Sequence, residues 1–127
     1  MITHARSTSL SSNGQLVGAA VDSVAGDGEV GFDDSIAIST NKEIDLAFAY
    51  AKLKSFAIYS AGAVTLFTNA NDGSGGDTLA IPAGLTVWNT NDIGANPFAH
   101  DVTKMWVHNA SASVAVKVTI RALVDLS

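Results

Sequence analysis

Short stretches in which every second residue is apolar fill the second half of this chain and constrain its fold more than any other feature. Val116 and Val118 alternate with the polar residues Lys117 and Thr119. A strand places successive side chains on opposite sides of a sheet, so this pattern predicts a strand with one buried and one exposed face. Loops rich in Gly, Asn and Asp, such as residues 69–77, separate the stretches. The pattern is typical of a compact antiparallel β-domain.

The spacing of these stretches predicts the fold class. Ile44, Leu46 and Phe48 step by two, so residues 44–50 are predicted as a strand, although the alanines between them leave a helix as the competing interpretation. Further strands are predicted at residues 55–60, 63–69, 78–81, 85–89, 102–109 and 113–124. Roughly eight or nine short strands at this spacing predict an all-β, antiparallel β-sandwich, and the jelly roll is its most natural eight-stranded form.

The beginning of the chain is less regular than the rest. Residues 1–35 are rich in Ser, Thr and Gly and contain one short apolar run, at residues 16–21. We predict an irregular segment here, which forms either an edge strand with long loops or an extended arm that becomes ordered against a neighbour. Residues 36–127 are predicted to form the β-sandwich domain. A chain of 127 residues accommodates one core of ordinary size.

Charge is sparse in this chain, and its balance is acidic. Charged residues make up 15% of the sequence, and the formal net charge is -5. A surface so poor in charge is better suited to packing within an assembly than to isolation in solution. The acidic balance argues against direct binding to nucleic acid. With no cysteine, no visible secretory signal and no apolar run near the roughly 20 residues that cross a bilayer, we expect a protein made in the cytoplasm without a membrane span.

The three histidines are the first candidates for catalysis. His4, His100 and His108 show neither the paired spacing nor the Cys/His cluster of zinc sites. His100 precedes Asp101, and such a pair could orient an imidazole as in a catalytic dyad. Neighbouring residues on an extended strand point to opposite sides, so we interpret His100 as a surface loop residue. His108 follows Trp106 by two positions and is expected on the same face, as a cross-strand neighbour.

Acidic and amide side chains supply the remaining candidates. Residues 69–77 place Asn and Asp oxygens as a calcium loop does but lack the Glu that closes an EF-hand, so we interpret them as a flexible hairpin loop. The same residues lack the Gly-Lys-Ser/Thr end of a phosphate-binding loop. Asp33 and Asp34 could be read as the carboxylate pair of a glycosidase, but we predict a solvated turn there. The sequence nominates no catalytic, cofactor-binding or metal-binding residue.

Four aromatic residues are the largest apolar groups of the second half. Exposed together, Trp88, Trp106, Phe67 and Phe98 would form a stacking platform for sugars. The alternative is that they fill the core of the sandwich or a subunit interface. We favour the core or an interface over a sugar-binding platform.

Residues 63–126 resemble the capsid cement or decoration proteins of tailed bacteriophages, which are small β-sandwich virion proteins. The resemblance lies in a strand, an Asp-Thr-hydrophobic strand, a Val-Trp strand, an Asn-Ala-Ser turn and a closing alternating strand. The corresponding segments here are residues 64–69 (VTLFTN), 77–84 (DTLAIPAG), 87–89 (VWN), 101–103 (DVT) and 107–111 (VHNAS).

The resemblance implies a structural protein of the virion that is not an enzyme. Such a protein binds the outer capsid surface, bridges subunits of the major capsid protein and stabilises the shell. It implies a homo-oligomer, either a trimer or a dimer, made in the host cytoplasm and located on the capsid. Residues 1–35 would then be an arm that reaches a capsid subunit or a second copy. Composition fits a tail or connector component equally well.

A second hypothesis belongs to a different class. The chain could be a small carbohydrate-binding β-sandwich, as in a phage fibre or a surface adhesin, that uses exposed Trp side chains and Asn/Asp loops. This hypothesis predicts a solvent-facing aromatic patch with converging polar groups, whereas the cement hypothesis predicts aromatic rings that are buried or covered by partners. An enzyme comes third, since His100 and Asp101 have no evident nucleophile or metal beside them.

Overall fold

The computed structural model describes residues 1–126, and their regular secondary structure is almost entirely β-strand. A short 3-10 helix at Tyr50–Lys52 is the exception. The strands, in chain order, are β1 (Ile2–Ser12), β2 (Gln15–Gly26), β3 (Gly28–Ile36), β4 (Thr40–Ile44), β5 (Leu53–Ser60), β6 (Val64–Thr68), β7 (Thr78–Ile81), β8 (Gly84–Asn89), β9 (Met105–Asn109) and β10 (Val116–Val124).

Eight of these strands form two four-stranded sheets, and β1 and β2 form a separate hairpin. The strand order is β3-β10-β5-β8 in one sheet, here sheet I, and β4-β9-β6-β7 in the other, sheet II. All neighbouring strands are antiparallel. The pairs are nested along the chain: β3 with β10, β4 with β9, β5 with β8, and β6 with β7. The prediction of an all-β antiparallel sandwich is confirmed.

The alternating pattern that predicted the fold also determines which side chains fill the core. On β10, Val116, Val118 and Ile120 are buried, and Lys117 points to solvent. The inward faces of both sheets contribute to one apolar cluster, so the sheets pack face to face as in a β-sandwich. Burial of this area from water is the main stabilising contribution to such a domain.

Three phenylalanine rings meet near the centre of this core. Phe98 lies 5.2 Å from Phe48 and 5.0 Å from Phe56, measured between ring centroids, and both pairs are edge-to-face. Phe98 comes from the loop between β8 and β9, and Phe56 comes from β5 of sheet I. The long connection after β8 is therefore held against the sandwich by an aromatic ring and not only by backbone hydrogen bonds.

The predicted strand at residues 44–50 is wrong beyond Ile44, where β4 ends. Leu46 and Phe48 are still buried alternately, but Phe48 pairs only with Val102, in an isolated bridge. The physical reason is that this segment leaves sheet II for sheet I. It fills the space between the sheets and has no neighbouring strand with which to form a ladder.

The predicted irregularity of residues 1–35 is not observed, because almost all of these residues lie in strands. β1 and β2 pair through an Asn13–Gly14 turn whose φ angles are 55° and 81°. Asn-Gly is the preferred two-residue hairpin turn, since both of its positions accept positive φ. β3 joins sheet I as an edge strand. The strand signal was weak because no face of this hairpin is buried beyond its base. We call the hairpin the arm.

Truncation of Phe98 tests the described core. We expect Phe98→Ala to lower the free energy of unfolding by about 3–5 kcal/mol, because a buried ring is replaced by a cavity. Val114→Ala is the control, since Val114 is exposed in the loop after β9, and its effect should stay within about 0.5 kcal/mol. Urea unfolding followed by tryptophan fluorescence measures both values. A loss below about 1 kcal/mol for Phe98→Ala would contradict this packing.

Candidate functional site in the hairpin arm

The outer part of the arm is exposed along its whole length. Every residue from 7 to 21 is solvent-exposed, and none of them carries a charge. The exposed side chains include four large apolar residues, Leu10, Leu16, Val17 and Val21. A two-stranded hairpin without a face to pack against is only marginally stable in water. This outer part therefore has the composition of a surface that is covered by a partner.

The base of the arm lies on the outer face of sheet I. Strand alternation places His4, Arg6, Asp22 and Val24 on one side of the hairpin, and His4 pairs with Val24 and Arg6 with Asp22 across it. His4 Nδ1 is 2.8 Å from the hydroxyl oxygen of Ser55 on β5. His4 Nε2 is 2.6 Å from a carboxylate oxygen of Glu29 on β3. These two contacts attach β1 to two strands of sheet I.

Arg6 is the strongest polar link between the arm and the sandwich. Its guanidinium donates to Asp22 from Nε at 3.1 Å and from Nη2 at 3.0 Å. It also donates to Asp92 from Nη1 at 3.1 Å and from Nη2 at 2.7 Å. Asp22 belongs to the arm and Asp92 to the loop after β8, so one guanidinium joins both bodies with two-point contacts on each side.

These contacts change the proton affinity of the groups involved. The guanidinium of Arg6 holds the pKa of Asp22 and of Asp92 below the ordinary value of 3.8. Hydrogen bonds to Asp92 and then to Asp22 raise the pKa of Arg6 in turn. All three side chains are partly buried, which reduces solvent screening between them. The link is therefore fully charged at neutral pH.

Two asparagines complete the link, which we call the anchor (Arg6, Asp22, Asn89, Asn91 and Asp92). The backbone N–H of Asn89 donates to Asp92 at 2.9 Å. The side-chain amides of Asn89 and Asn91 donate to Asp22 at 3.2 and 3.3 Å. Asn89 is buried at the end of β8, so its amide would lose hydration without this partner. The anchor is a connected network in which each carboxylate has donors from both sides.

The positions of these contacts define the direction of the arm. β1 passes from Glu29 on β3, over Ser55 on β5, to Asp92 beyond the end of β8. Because β3 and β8 are the two edges of sheet I, β1 crosses the strands of that sheet. Residues 7–12 continue beyond it, a length of roughly 20 Å in extended conformation. At the base, a Cβ on Gly26 would lie 2.7 Å from the carbonyl oxygen of Val124, so glycine permits the close approach there.

A groove of about 480 Å³ opens beside the base of the arm. Its wall is the β1 segment from Thr3 to Ser7, and its floor is the outer face of sheet I. The floor combines the apolar side chains of Ala57, Leu85 and Val87 with the polar groups of Ser55, Asn89, Glu29 and Arg121. The groove and the outer arm meet at Ser7, and together they form a candidate contact surface.

The structure separates the side chains of His100 and Asp101, a pair that the sequence argues against as a catalytic dyad. His100 lies in the loop between β8 and β9, is 52% exposed, and its Nδ1 is 3.3 Å from a carboxylate oxygen of Asp77. Asp101 instead accepts the backbone N–H of Tyr50 at 3.1 Å. The interpretation of His100 as a surface loop residue is confirmed. Asp77 also accepts backbone N–H groups of Ala99 and His100, so its carboxylate organises this loop.

Residues 69–77 connect β6 to β7 as a hairpin loop, as predicted. Their side-chain oxygens and amides bind backbone groups of the loops: Asn69 donates to the carbonyls of Gly75 and Asp101 and accepts from Thr103. The carboxylate of Asp72 accepts the backbone N–H of Ser74, and hydrogen bonds from Ser74 lower the pKa of Asp72. These side chains hold the loop in place through hydrogen bonds to backbone groups, whereas a calcium loop is held in place by the bound ion.

Asp33 and Asp34 do not lie in a turn, so that prediction is wrong. Both are on the edge strand β3, where they pair with Thr119 and Val118 of β10. Asp33 is 3.2 Å from the ammonium nitrogen of Lys117, and this neighbour lowers the pKa of Asp33. Their side chains point to opposite sides of the strand, since adjacent residues alternate. The two carboxylates do not form a pair.

The aromatic residues divide into two groups. Phe98 is in the core and Trp88 packs against it, with the indole N–H of Trp88 donating to the carbonyl of Gly94 at 3.1 Å. Trp106 and Phe67 are cross-strand neighbours on the outer face of sheet II and are half-buried. His108 shares that face, as predicted, with its ring 6.3 Å from that of Phe67.

Two kinds of feature are absent from residues 1–126. No group of three or more His, Asp or Glu side chains in this range could hold a metal ion. None of the helical structure in these residues has the length and apolar character needed to cross a membrane.

Comparison of the chain with protein-family models, with curated proteins and with solved structures gives no match. The arm, the anchor and the groove are therefore the features that bear on its function.

Sequence reasoning missed the anchor. Arg6, Asp22 and Asp92 are far apart in the chain, and no spacing joins them. The Asn13–Gly14 turn was the available signal, since a two-residue turn predicts a hairpin between its flanks. It would not have given the right pairs, because a bulge at Leu10/Ser11 shifts the register by one residue and thereby places Asp22 opposite Arg6.

The anchor predicts how the arm responds to acid. Asp22 and Asp92 have a lower pKa in the folded protein, so their stabilising contribution is complete above 3.8 and is lost as the pH falls below that value. We expect amide protection at residues 2–6 to stay constant from pH 6 to pH 5 and to fall below pH 3.8, while β9 amides stay protected. Hydrogen exchange, normalised to intrinsic rates, measures both.

Arg6→Gln is the matched control, because it keeps a polar side chain and removes the charge that lowers both carboxyl pKa values. In this variant, protection at residues 2–6 should be low at every pH. Protection that stays high down to pH 2 in the unaltered chain, or that is unchanged by Arg6→Gln, would show that the anchor does not hold the arm.

Proposed function

We propose that this chain is a non-enzymatic structural protein of a virion, a capsid cement or decoration protein that binds the outer capsid and bridges subunits of the major capsid protein. The observation that carries the proposal is the arm: an exposed, uncharged hairpin, residues 7–21, held out from a folded domain by a charged anchor. The anchor fixes its base, and the apolar side chains beyond it have nothing to pack against within the described chain.

The arm has features that a monomeric protein avoids. Exposed strand edges with apolar side chains are prone to pair with other chains, and soluble proteins protect them with charges, prolines or bulges. Here the outer arm has neither charge nor proline, and its one bulge lies at Leu10/Ser11. Such an edge is suited to strand pairing with another subunit of an assembly.

The stabilising effect would be one of mass action. A protein that binds the assembled shell and not the dispersed subunits shifts the equilibrium toward the shell, by an amount that grows with its concentration relative to its dissociation constant. Shape, apolar burial and strand pairing suffice for this role, and no reacting group is needed. The protein would be made in the host cytoplasm and reside on the capsid surface as a homo-oligomer.

The nested strand order supports a jelly roll. Pairs β3–β10 and β5–β8 lie in sheet I, and pairs β4–β9 and β6–β7 lie in sheet II. A long hairpin wound around a barrel axis gives such alternation of nested pairs between two sheets. We infer a jelly-roll form for the sandwich on this basis. Viral capsid proteins and lectins both use that fold, so it is compatible with the proposed function and with the second candidate.

Carbohydrate binding by an attachment module is the second candidate. It is favoured by the neighbouring rings of Trp106 and Phe67, with His108, on the outer face of sheet II. Asn41 is the cross-strand neighbour of His108 and supplies an amide. We rank this candidate second, because both large rings are half-buried, whereas the side chains of the arm are exposed and apolar.

Co-sedimentation with capsids of the parent virus tests the proposal. The full chain should bind saturably, at a fixed ratio to the major capsid protein. A variant in which Asn-Gly replaces residues 8–20 keeps Arg6 and Asp22, which makes it a folded chain without the outer arm, and its binding should fall at least about tenfold. A fall of tenfold corresponds to about 1.4 kcal/mol of binding free energy.

Ile93→Ser is the control, because it removes an apolar side chain outside the arm that is even more exposed than those of the arm, and its binding should be unchanged. A glycan array is run with the same preparations. Failure of the full chain to bind capsids, together with glycan binding that is lost in Trp106→Ala, would overturn the cement proposal and support the second candidate.

A further inference from the structure

The free edge of β1 faces the groove. In the described residues β1 pairs with β2 along one edge only, since the hairpin is a separate two-stranded sheet. The groove is bordered by Thr3 to Ser7 of β1 and by no residue of β2, so it runs along the opposite edge of β1. An added strand in the groove would therefore find backbone donors and acceptors on one side and a side-chain floor beneath it.

The floor of the groove favours an apolar side chain. Leu85 on β8 is 68% exposed, and Tyr59 beside it on β5 is 50% exposed. The next cross-strand pair, Ala57 and Val87, lines the groove directly. Exposed apolar side chains in adjacent pairs form a continuous patch, and covering such a patch is favourable in proportion to the area removed from water.

The arm itself has the dimensions and the side chains that this groove would accept. Residues 3–7 of β1 line the groove, and residues 8–12 extend beyond the sandwich by an equal number of positions. Leu10 lies on the same side of β1 as His4 and Arg6, the side that faces sheet I, and it is 63% exposed. Residues 3–7 of β1 thus line a groove in which no further strand lies. Residues 8–12 form a strand segment that packs on no sheet.

We propose that β1 pairs antiparallel with β1 of a second copy, about a two-fold axis at Ser7. Position 10 of each copy then lies opposite position 4 of the other, so the partner's Leu10 points onto Ala57, Leu85 and Val87. The two arms form one four-stranded ribbon over two sandwiches. The contact is isologous: the same patch serves both copies, and the assembly closes as a dimer.

Charge favours a second copy as the occupant. The chain has a net charge of -5, so most pairs of surfaces from two copies repel one another, but residues 7–21 carry no charge. The charged groups nearest the axis, Arg6, Asp22 and Asp92, are already paired with one another, and together they leave a single net negative charge. Ser7 is small and uncharged, which permits close approach at the axis. The outer arm is thus the segment by which two acidic copies meet with least repulsion.

The proposed dimer requires the arm to be a contact segment, as the proposed function does, but it does not require binding to a capsid. It can therefore be tested with the purified chain alone. Light scattering of the purified chain should give twice the 13.0 kDa of one copy. Leu10→Asp should raise the dimer dissociation constant by about tenfold or more, because the carboxylate would be buried without a partner. Val114→Asp is the matched control, since Val114 is 60% exposed and lies outside the groove, and its dimer should be unchanged.

A single-cysteine variant locates the axis. The chain has no cysteine, so Ser7→Cys gives one thiol per copy, and at the axis each thiol faces its own equivalent. We expect Ser7→Cys to form an intermolecular disulfide rapidly under mild oxidation and Ser12→Cys, whose opposite residue would be Ile2, to form it slowly. The difference in disulfide formation between the two variants reports which residues face each other, and not only how tightly the dimer binds.

Three outcomes would overturn the proposal. A monomer at about 100 μM leaves no dimer of useful affinity, a trimer excludes the two-fold pairing, and a dimer unaffected by Leu10→Asp without Ser7→Cys cross-linking has another interface. A chain that stays monomeric and yet binds capsids through its arm would assign the groove to a capsid segment. That result would overturn this inference and leave the proposed function standing.

Discussion

The two-sided contact of Arg6 with Asp22 and Asp92 is the interaction on which the rest of the account depends. Without it, β1 and β2 would be held to the sandwich by the contacts of His4 and by the amides of Asn89 and Asn91 that donate to Asp22. The guanidinium fixes both the position and the direction of the arm. Its N–H groups lie in one plane and donate to a carboxylate in pairs only when the carboxylate has a defined orientation. A segment that is already held in position loses less conformational entropy on binding than a mobile tail does. The fixed arm therefore binds a partner more tightly than a mobile tail with the same side chains would.

The anchor divides the molecule into two parts with different physical character. The sandwich buries a continuous apolar core and is complete in itself, as the nested pairs and the three phenylalanine rings indicate. The outer arm is a pair of strands that covers no core. The groove beside its base has a floor of side chains that no strand covers. Strand pairing and apolar burial are then the only chemistry required for the proposed role in an assembly.

The fold was largely predictable from the sequence, whereas the candidate site was not. Period-two alternation identifies β5 to β10 because each of these strands has one face in the core, and burial is what the alternation records. The arm lacks that signal, since no face of it is buried beyond its base. The anchor depends on a bulge at Leu10/Ser11 and on a loop residue, Asp92, brought close only by tertiary packing. No local sequence pattern predicts the bulge or the approach of Asp92 to Arg6.

Hydrogen exchange at residues 7–21 distinguishes a covered arm from an uncovered one. It is measured in particles of the proposed parent virus and in purified chain diluted until it is monomeric. The central claim is that the outer arm is a contact segment held ready by its anchor. The account predicts rapid exchange in the dilute monomer, where the hairpin is unsupported, and at least about hundredfold slower exchange in the particle. Equally rapid exchange in both would contradict it, because an arm that remains uncovered in the assembly has no partner there.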